Sequence, residues 1–248
     1  MLNEIICGDS LHLLKTLDDN YLDLTFTSPP YLNVKDYSQY DDVDDYINQM
    51  KEIFTLVFDK TKESRMCVVN ISPILVARES RQKQSYRIPL PFYFVSMMEE
   101  IGFEFLEDII WKKPDGSVIN RNGSFYQHRK PLAYKPNVVT EYILVFKKPS
   151  KRLLDYFLKN ESLVEDGYER TNVWEIHPET KSKHPAPYPL ELAEKVIKYY
   201  SYENDLVFDP FIGSGTTAVA AKKLGRNYLG FELYQEYVDM TNERINKM

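Results

Sequence analysis

The stretch from Asp205 to Leu233, DLVFDPFIGSGTTAVAAKKLGRNYLGFEL, constrains the fold of this chain more than any other. It reads as an apolar strand, a tight glycine loop, a helix, a stop at Gly225 and a second apolar strand. Two strands joined through a helix pair in parallel, because a hairpin turn cannot join them that way. The rest of the chain repeats the alternation. EIICG, YLDLTFT, RMCVVNIS, FEFLEDIIWKK and TEYILVFKK have strand character. SLHLLKTL has helical spacing, and helices are predicted from Val43 to Asp59, Pro89 to Ile101 with a stop at Gly102, Pro189 to Tyr200, and Gln235 to Ile245. RMCVVNIS is apolar at its centre, as a strand covered on both faces must be. The expectation is an α/β fold with a doubly wound, mostly parallel sheet.

With 248 residues the chain fits one large domain, or one domain with a small insertion. At 43% hydrophobic and 27% charged it can bury a sizeable core. No run approaches the roughly 18 apolar residues of a membrane span. The opening MLNEIICGDS lacks the basic and apolar regions of a signal peptide and reads directly as structure, so a cytoplasmic location is expected. Cys7 and Cys67 lie in apolar runs and are expected to be buried thiols, not a disulfide or a metal site. The net charge of −6 argues against a generally basic nucleic-acid binder. The charge is nevertheless uneven. Trp111 to Arg152 carries ten Lys/Arg and two acids, about +8, which leaves −14 on the remainder. That segment is either a solvated surface or a local face for a polyanion.

Gly213 and Gly215 let the backbone turn sharply and come close to a ligand. The helix beginning near Thr216 aims free N–H groups and a partial positive charge at the loop, and Ser214, Thr216 and Thr217 add hydroxyls. A carboxylate or a phosphate suits such a site. The Gly-Lys-Ser/Thr ending of a P-loop is missing, as is the full dinucleotide fingerprint. Glu232 ends the next strand about 20 residues on, where an acid can hold both hydroxyls of a ribose. Together these features suggest a nucleoside with an anionic tail, which S-adenosylmethionine fits and NAD fits less well. The alternative is an ordinary tight turn and an exposed glutamate.

The run TFTSPPYLN ends a strand in two prolines, where the backbone loses two donors and becomes stiff. TSPPY near the start and FDPFIGSGTT near the end together resemble the DNA amino-methyltransferases, which modify N6 of adenine or N4 of cytosine. The order of the motifs resembles the circularly permuted beta group. GDSLHLLKTL, CVVNIS, DIIWKKP, KHPAPYPLELAEKVI and GRNYLGFEL also resemble segments of that family, so the likeness covers nearly the whole chain. It implies a seven-stranded Rossmann-like methyltransferase sheet with a small irregular recognition insertion. Residues 1–112 would form the catalytic half, 113–175 the basic loop and target-recognition insertion with one core strand near 140–147, and 176–248 the cofactor half of the same domain.

The same resemblance implies site roles. Asp209, Phe211, Gly213, Ser214, Gly215, Thr216 and Thr217 would surround the methionine part of S-adenosylmethionine. Glu232 would hold its ribose, Asp9 would lie near its adenine, and His184, Pro185, Ala186 and Pro187 would help to close the pocket. Asp9 and His184 can also be read as loop caps. Ser28, Pro29, Pro30 and Tyr31 would be catalytic. Ser28 Oγ and the Pro29 carbonyl would accept from the target amino group, and Tyr31 would stack on a base flipped out of the duplex. Methylation of cytosine carbon 5 needs a cysteine nucleophile, and neither Cys7 nor Cys67 follows a proline. Serine at the head of the tetrapeptide is typical of N4-cytosine enzymes, which makes N4 of cytosine the favoured target and N6 of adenine the alternative. RNA and protein methyltransferases that use Pro-Pro-Tyr carry Asn before it and place it after the glycine loop; they, and a non-catalytic nucleic-acid-binding relative, are remoter alternatives.

DNA contact is expected from the loop Pro114 to Asn137, through Asn120, Arg121, Asn122, Gln127, His128, Arg129, Lys130 and Lys135. Lys112, Lys113, Lys147, Lys148, Lys151 and Arg152 are candidates for phosphate contact. The expected partner is double-stranded DNA, with a second copy of the chain and a cognate restriction endonuclease as further partners the resemblance allows. Neither a metal nor a membrane is expected.

Overall fold

The computed structural model describes residues 1–30, 42–78, 80, 82–118, 131–134, 136–151, 163–164, 167–179 and 188–248. Its main sheet contains β1 (Glu4–Cys7), β2 (Leu22–Thr27), β3 (Thr61–Ile71), β6 (Glu104–Lys112), β7 (Thr140–Lys147), β8 (Val173–Glu175), β9 (Leu206–Asp209) and β10 (Asn227–Glu232). The order across the sheet is β1-β10-β9-β2-β3-β7-β6-β8. β1, β10, β9, β2 and β3 pair in parallel, and β7 is antiparallel to both its neighbours. The expected doubly wound, mostly parallel α/β sheet is therefore present. From the β9/β2 boundary one chain path runs outward through β10 and the other through β3. This is the switch point at which open α/β sheets bind ligands.

Helices cover both faces, as the apolar runs require. α1 (Ser10–Leu14), α2 (Val43–Lys60) and α3 (Leu90–Ile101) pack on one face through Leu14, Tyr46, Met50, Phe54, Phe94 and Met98. α4 (Leu190–Tyr200) and α5 (Thr216–Lys223) pack on the other through Leu192, Val196, Ile197, Ala220 and Ala221, and α6 (Gln235–Asn246) lies beside α5. Every residue of β2 is buried. Alternation then assigns the faces. Cys67, Val69 and Ile71 of β3 join the first core, whereas Val68 joins Leu24, Phe26 and Ile143 in the second. Each fully buried phenylalanine contributes about 1.5–3 kcal/mol through area removed from water. α2 starts at Asp42, whose side chain accepts from the Asp45 amide, and α3 stops at Gly102 with φ 119°.

Several details depart from the sequence reading. The sheet has an eighth strand, β8, in which only Trp174 of the three residues is buried. A two-stranded hairpin, β4 (Ile74–Val76) with β5 (Tyr86–Ile88), lies between β3 and α3, where the sequence reading placed no strand. Three residues give too short an alternation for either to register as a strand. Cys67 is buried and its thiol is pushed well above its ordinary value by desolvation. Cys7, however, is exposed, because it ends the outermost strand β1. Among the described residues no helix is long and apolar enough to cross a membrane.

Candidate functional site

The parallel pairs Leu24↔Val207 and Thr25↔Phe208 bring β2 and β9 together in register. Ser28–Pro30 and the glycine loop Pro210–Gly215 therefore leave the same edge of the sheet side by side. This one pairing brings the segments that hold Pro29 and Gly213, 184 positions apart in the chain, to the same edge of the sheet. Ser28 and Pro30 are partly buried and Pro29 is buried. Tyr31 lies outside the described residues. Thr217, in the first turn of α5, ties the two segments, with its hydroxyl 3.5 Å from the Phe26 carbonyl and 2.7 Å from Asp209 Oδ2.

The glycine loop is built for close approach. Gly213 and Gly215 have φ of 51° and 82°, which side-chain-bearing residues seldom adopt. Gly215 is the N-cap of α5 and has no side-chain cap. Thr241 of α6 donates 3.0 Å to the Gly213 carbonyl, and Arg244 of α6 donates to the Ser214 carbonyl. Glu232, at the end of β10, accepts from the Gly213 amide at 2.9 Å and from the Tyr234 amide at 3.1 Å. Burial pushes the Glu232 carboxyl above its ordinary value, and those two amides oppose the shift.

Asp209 sits beneath the loop with no exposed surface. It accepts from the Phe211 amide at 3.0 Å, from Thr217 and from the Tyr188 hydroxyl at 3.2 Å. Burial raises its pKa, and the hydrogen bonds moderate the rise. The Tyr188 hydroxyl also bonds to Thr217, and its ring lies 5.2 Å from that of Phe26. Tyr188 stands within HPAPYP, where nothing local singles it out. Its contacts make it the brace between the proline turn and the glycine loop. Thr241 and Arg244 escape a sequence reading too: on a surface helix, nothing distinguishes them from solvated residues.

Asp9 follows β1, beside Glu232 through the pairing Cys7↔Glu232. It caps α1, accepting from the His12 amide at 3.1 Å, and meets His12 Nδ1 at 2.9 Å. His184, Pro185, Ala186 and Pro187 lie outside the described residues, as do Asn120, Arg121, Asn122, Gln127, His128, Arg129, Lys130, Lys135 and Arg152.

Four of the lysines expected to meet phosphates are engaged within the protein. Lys112 pairs with Glu175 at 2.8 Å, and Lys113 pairs with Glu141 at 2.5 Å with its ammonium 4.7 Å from the Trp111 ring centroid. Lys112 ends β6 and Lys113 follows it, at the end of the strand that faces the candidate site. Lys147 and Lys148 correct the sequence reading. The antiparallel course of β7 carries them to the opposite edge of the sheet, opposite Met66 and Arg65. There Lys147 pairs with Glu104 at 2.9 Å, and Lys148 donates to the Phe58 and Thr61 carbonyls at 2.8 and 2.7 Å, closing the end of α2.

The site has a stiff acceptor-bearing turn beside a glycine loop with a strand-end carboxylate, and comparison with known proteins identifies the family of the chain. The DNA methylase family model matches residues 22–243. The type II beta methyltransferase M.BslI of Bacillus sp. (strain NEB-606) is 33% identical over 97% of this chain, which spans 27% of that protein's length. The type II methyltransferase M.ScaI of Streptomyces caespitosus is 28% identical over 96% of this chain and 79% of its own. Among solved structures, TTHA0409 of Thermus thermophilus, complexed with S-adenosyl-L-methionine, superposes with a TM-score of 0.79 at 26% identity, covering 99% of this chain and 93% of that one. The PvuII DNA methyltransferase (cytosine-N4-specific) shares the fold, with a TM-score of 0.72 at 24% identity over 97% of this chain and 85% of its own. On its sequence, its sheet and the family match across its length, this chain belongs to the DNA methylase family.

Proposed function

We propose that this chain moves a methyl group from S-adenosylmethionine to the N4 amino group of cytosine in DNA, in the beta-group arrangement where the catalytic motif precedes the glycine loop. The observation that carries the reading is the juxtaposition of Ser28–Pro30 with Pro210–Gly215 at the switch point of the sheet. The residues present suit the cofactor. An amide-lined turn with no room for a Cβ at Gly215, at the N-terminus of α5, suits its carboxylate, and the Glu232 carboxylate suits its ribose. Asp209 has no exposed surface, so its part is to hold Thr217, Tyr188 and the loop in place. When bound, S-adenosylmethionine supplies a methyl group made electrophilic by its sulfonium.

Ser28 Oγ and the Pro29 carbonyl accept the two N–H bonds of the target amino group. That draws the nitrogen toward tetrahedral geometry and frees its lone pair, which conjugation with the ring otherwise withholds. The prolines keep the acceptors preorganised, so little reorganisation accompanies the reaction. Tyr31 stacks on the flipped base, and Arg121, Asn122, Gln127, His128, Arg129, Lys130 and Lys135 of segment 113–175 contact the duplex. Serine at the head of the tetrapeptide supports N4 of cytosine over N6 of adenine.

The test is transfer of a labelled methyl group to mixed-sequence duplex DNA, with RNA and protein as parallel substrates, followed by hydrolysis and mass identification of the modified nucleoside. N4-methylcytosine is expected. N6-methyladenine would keep the family chemistry and change the base. Label in RNA or protein alone would reject the reading. Ser28→Ala is expected to lower the rate more than about tenfold with cofactor binding intact.

A further inference from the structure

We infer that Asn70 is a positioning residue for Ser28: when the target amino group docks, the Asn70 side-chain oxygen, which has no partner among the described residues, takes the Ser28 hydroxyl proton and leaves the Ser28 lone pairs free for that amino group. This rests on the catalytic reading of Ser28 given above. Asn70 is only 2% exposed, near the end of β3. Its Nδ2 donates 3.0 Å to Glu141 Oε2 on β7, and Glu141 Oε1 accepts from Lys113 Nζ at 2.5 Å. An ionised carboxylate only accepts, so Glu141 dictates which way the amide points. Nδ2 faces β7 and Oδ1 faces away from it. Oδ1 is buried and has no hydrogen-bond partner among the described residues.

β3 lies between β7 and β2, so the side of Asn70 away from Glu141 is the side of β2. The parallel register Thr27↔Val69 carries Ser28 alongside Asn70. Alternation puts Ser28 on the face of Phe26 and Asn70 on the face of Val68, and those two share one core cluster. Neighbouring strands lie about 4.8 Å apart, a gap that Ser and Asn side chains on one face can bridge with a hydrogen bond.

The chemistry explains why such an acceptor is kept. A hydroxyl has one proton and two lone pairs. To accept from an amino group, Ser28 must direct its own proton elsewhere. A buried acceptor without a donor is costly, yet here it is held in place by a partly buried ion pair. The chain Lys113–Glu141–Asn70 also polarises the amide and strengthens Oδ1 as an acceptor.

A merely structural Asn70 would pin β3 to β7 and no more. The test uses the full chain, with Asn70→Leu, of similar size, in the wild-type background and in a Ser28→Asp background. The Asn70→Leu variant is expected to unfold at the wild-type urea concentration, to bind S-adenosylmethionine with unchanged Kd, and to keep its KM for DNA. Its kcat is expected to fall about tenfold. An aspartate at position 28 carries no proton to place, so there Asn70→Leu should change kcat by less than about twofold. Wild-type kcat in Asn70→Leu, or the same tenfold fall in both backgrounds, overturns the inference. A wild-type chain that moves no methyl group to DNA overturns the parent reading and this one with it, and that control tells the two failures apart.

Discussion

An added Cβ at Gly215 would stand 2.3 Å from Thr241 Cγ2 and 2.7 Å from its hydroxyl, at a φ of 82°. Gly215→Ala is therefore expected to cost about 1–3 kcal/mol in urea unfolding and to weaken cofactor binding. Thr241→Ala in the same chain should recover part of the loss, since it removes the two closest contacts but leaves the Thr241 Cβ 2.9 Å away and the backbone strain in place. Asp209 gives a prediction in pH. Burial raises its folded pKa above the ordinary 3.8, so between the two values the folded state binds more protons than the unfolded one. Stability from this group is then greatest below 3.8 and declines as pH rises through the raised value. Asp209→Asn removes that dependence. Melting temperatures of the two proteins are expected to show the wild type gaining on the variant as pH falls from neutrality toward 3.8. A constant difference across that range would contradict the burial argument.

At the scale of elements, the edge of the sheet opposite the site is held by charges. Arg65 of β3 donates to Asp205, just ahead of β9, at 2.9 Å, and lies 3.6 Å from Asp23 of β2. Asp23 also accepts from Lys62 at 2.8 Å and from the Leu206 amide at 3.0 Å. The cluster ties the three central parallel strands where they begin. Arg65→Met leaves the mostly buried Asp205 without its cation, while Asp23 keeps Lys62, and is expected to cost about 1.5–3 kcal/mol in urea unfolding. Because the cluster lies away from Ser28 and Gly213, kcat per folded molecule should not change. A lower kcat at unchanged stability would show that this edge reaches the site.

For the whole molecule, the positive segment Trp111–Arg152 divides by topology. Lys112, Lys113 and Lys147 are paired with acids, and Lys148 is spent on the end of α2. Lys148→Met is therefore expected to lower stability and leave DNA affinity unchanged. Arg121→Ala or Arg129→Ala should weaken DNA binding and flatten its salt dependence, with unfolding unaffected. Titrations of duplex DNA at several salt concentrations, beside urea unfolding, check both. The opposite assignment of losses would return Lys148 to the DNA-binding face.

Much of this was legible in residue order. Strand and helix periods, the Gly225 and Gly102 stops, and the glycine turn all depend on neighbours within a few positions, and so does the stiffness of Ser28-Pro29-Pro30. By itself the sequence determined the alternating α/β plan and the two segments proposed to bear the chemistry. Only the tertiary structure decided that β2 pairs with β9, that β7 runs backwards and carries Lys147 and Lys148 to the opposite edge of the sheet, that Cys7 ends an edge strand, and that Tyr188 and Thr241 meet Asp209, Thr217 and Gly213 around the glycine loop. Pairing between strands is set by how side chains far apart in the chain share two cores, and no local period encodes that choice.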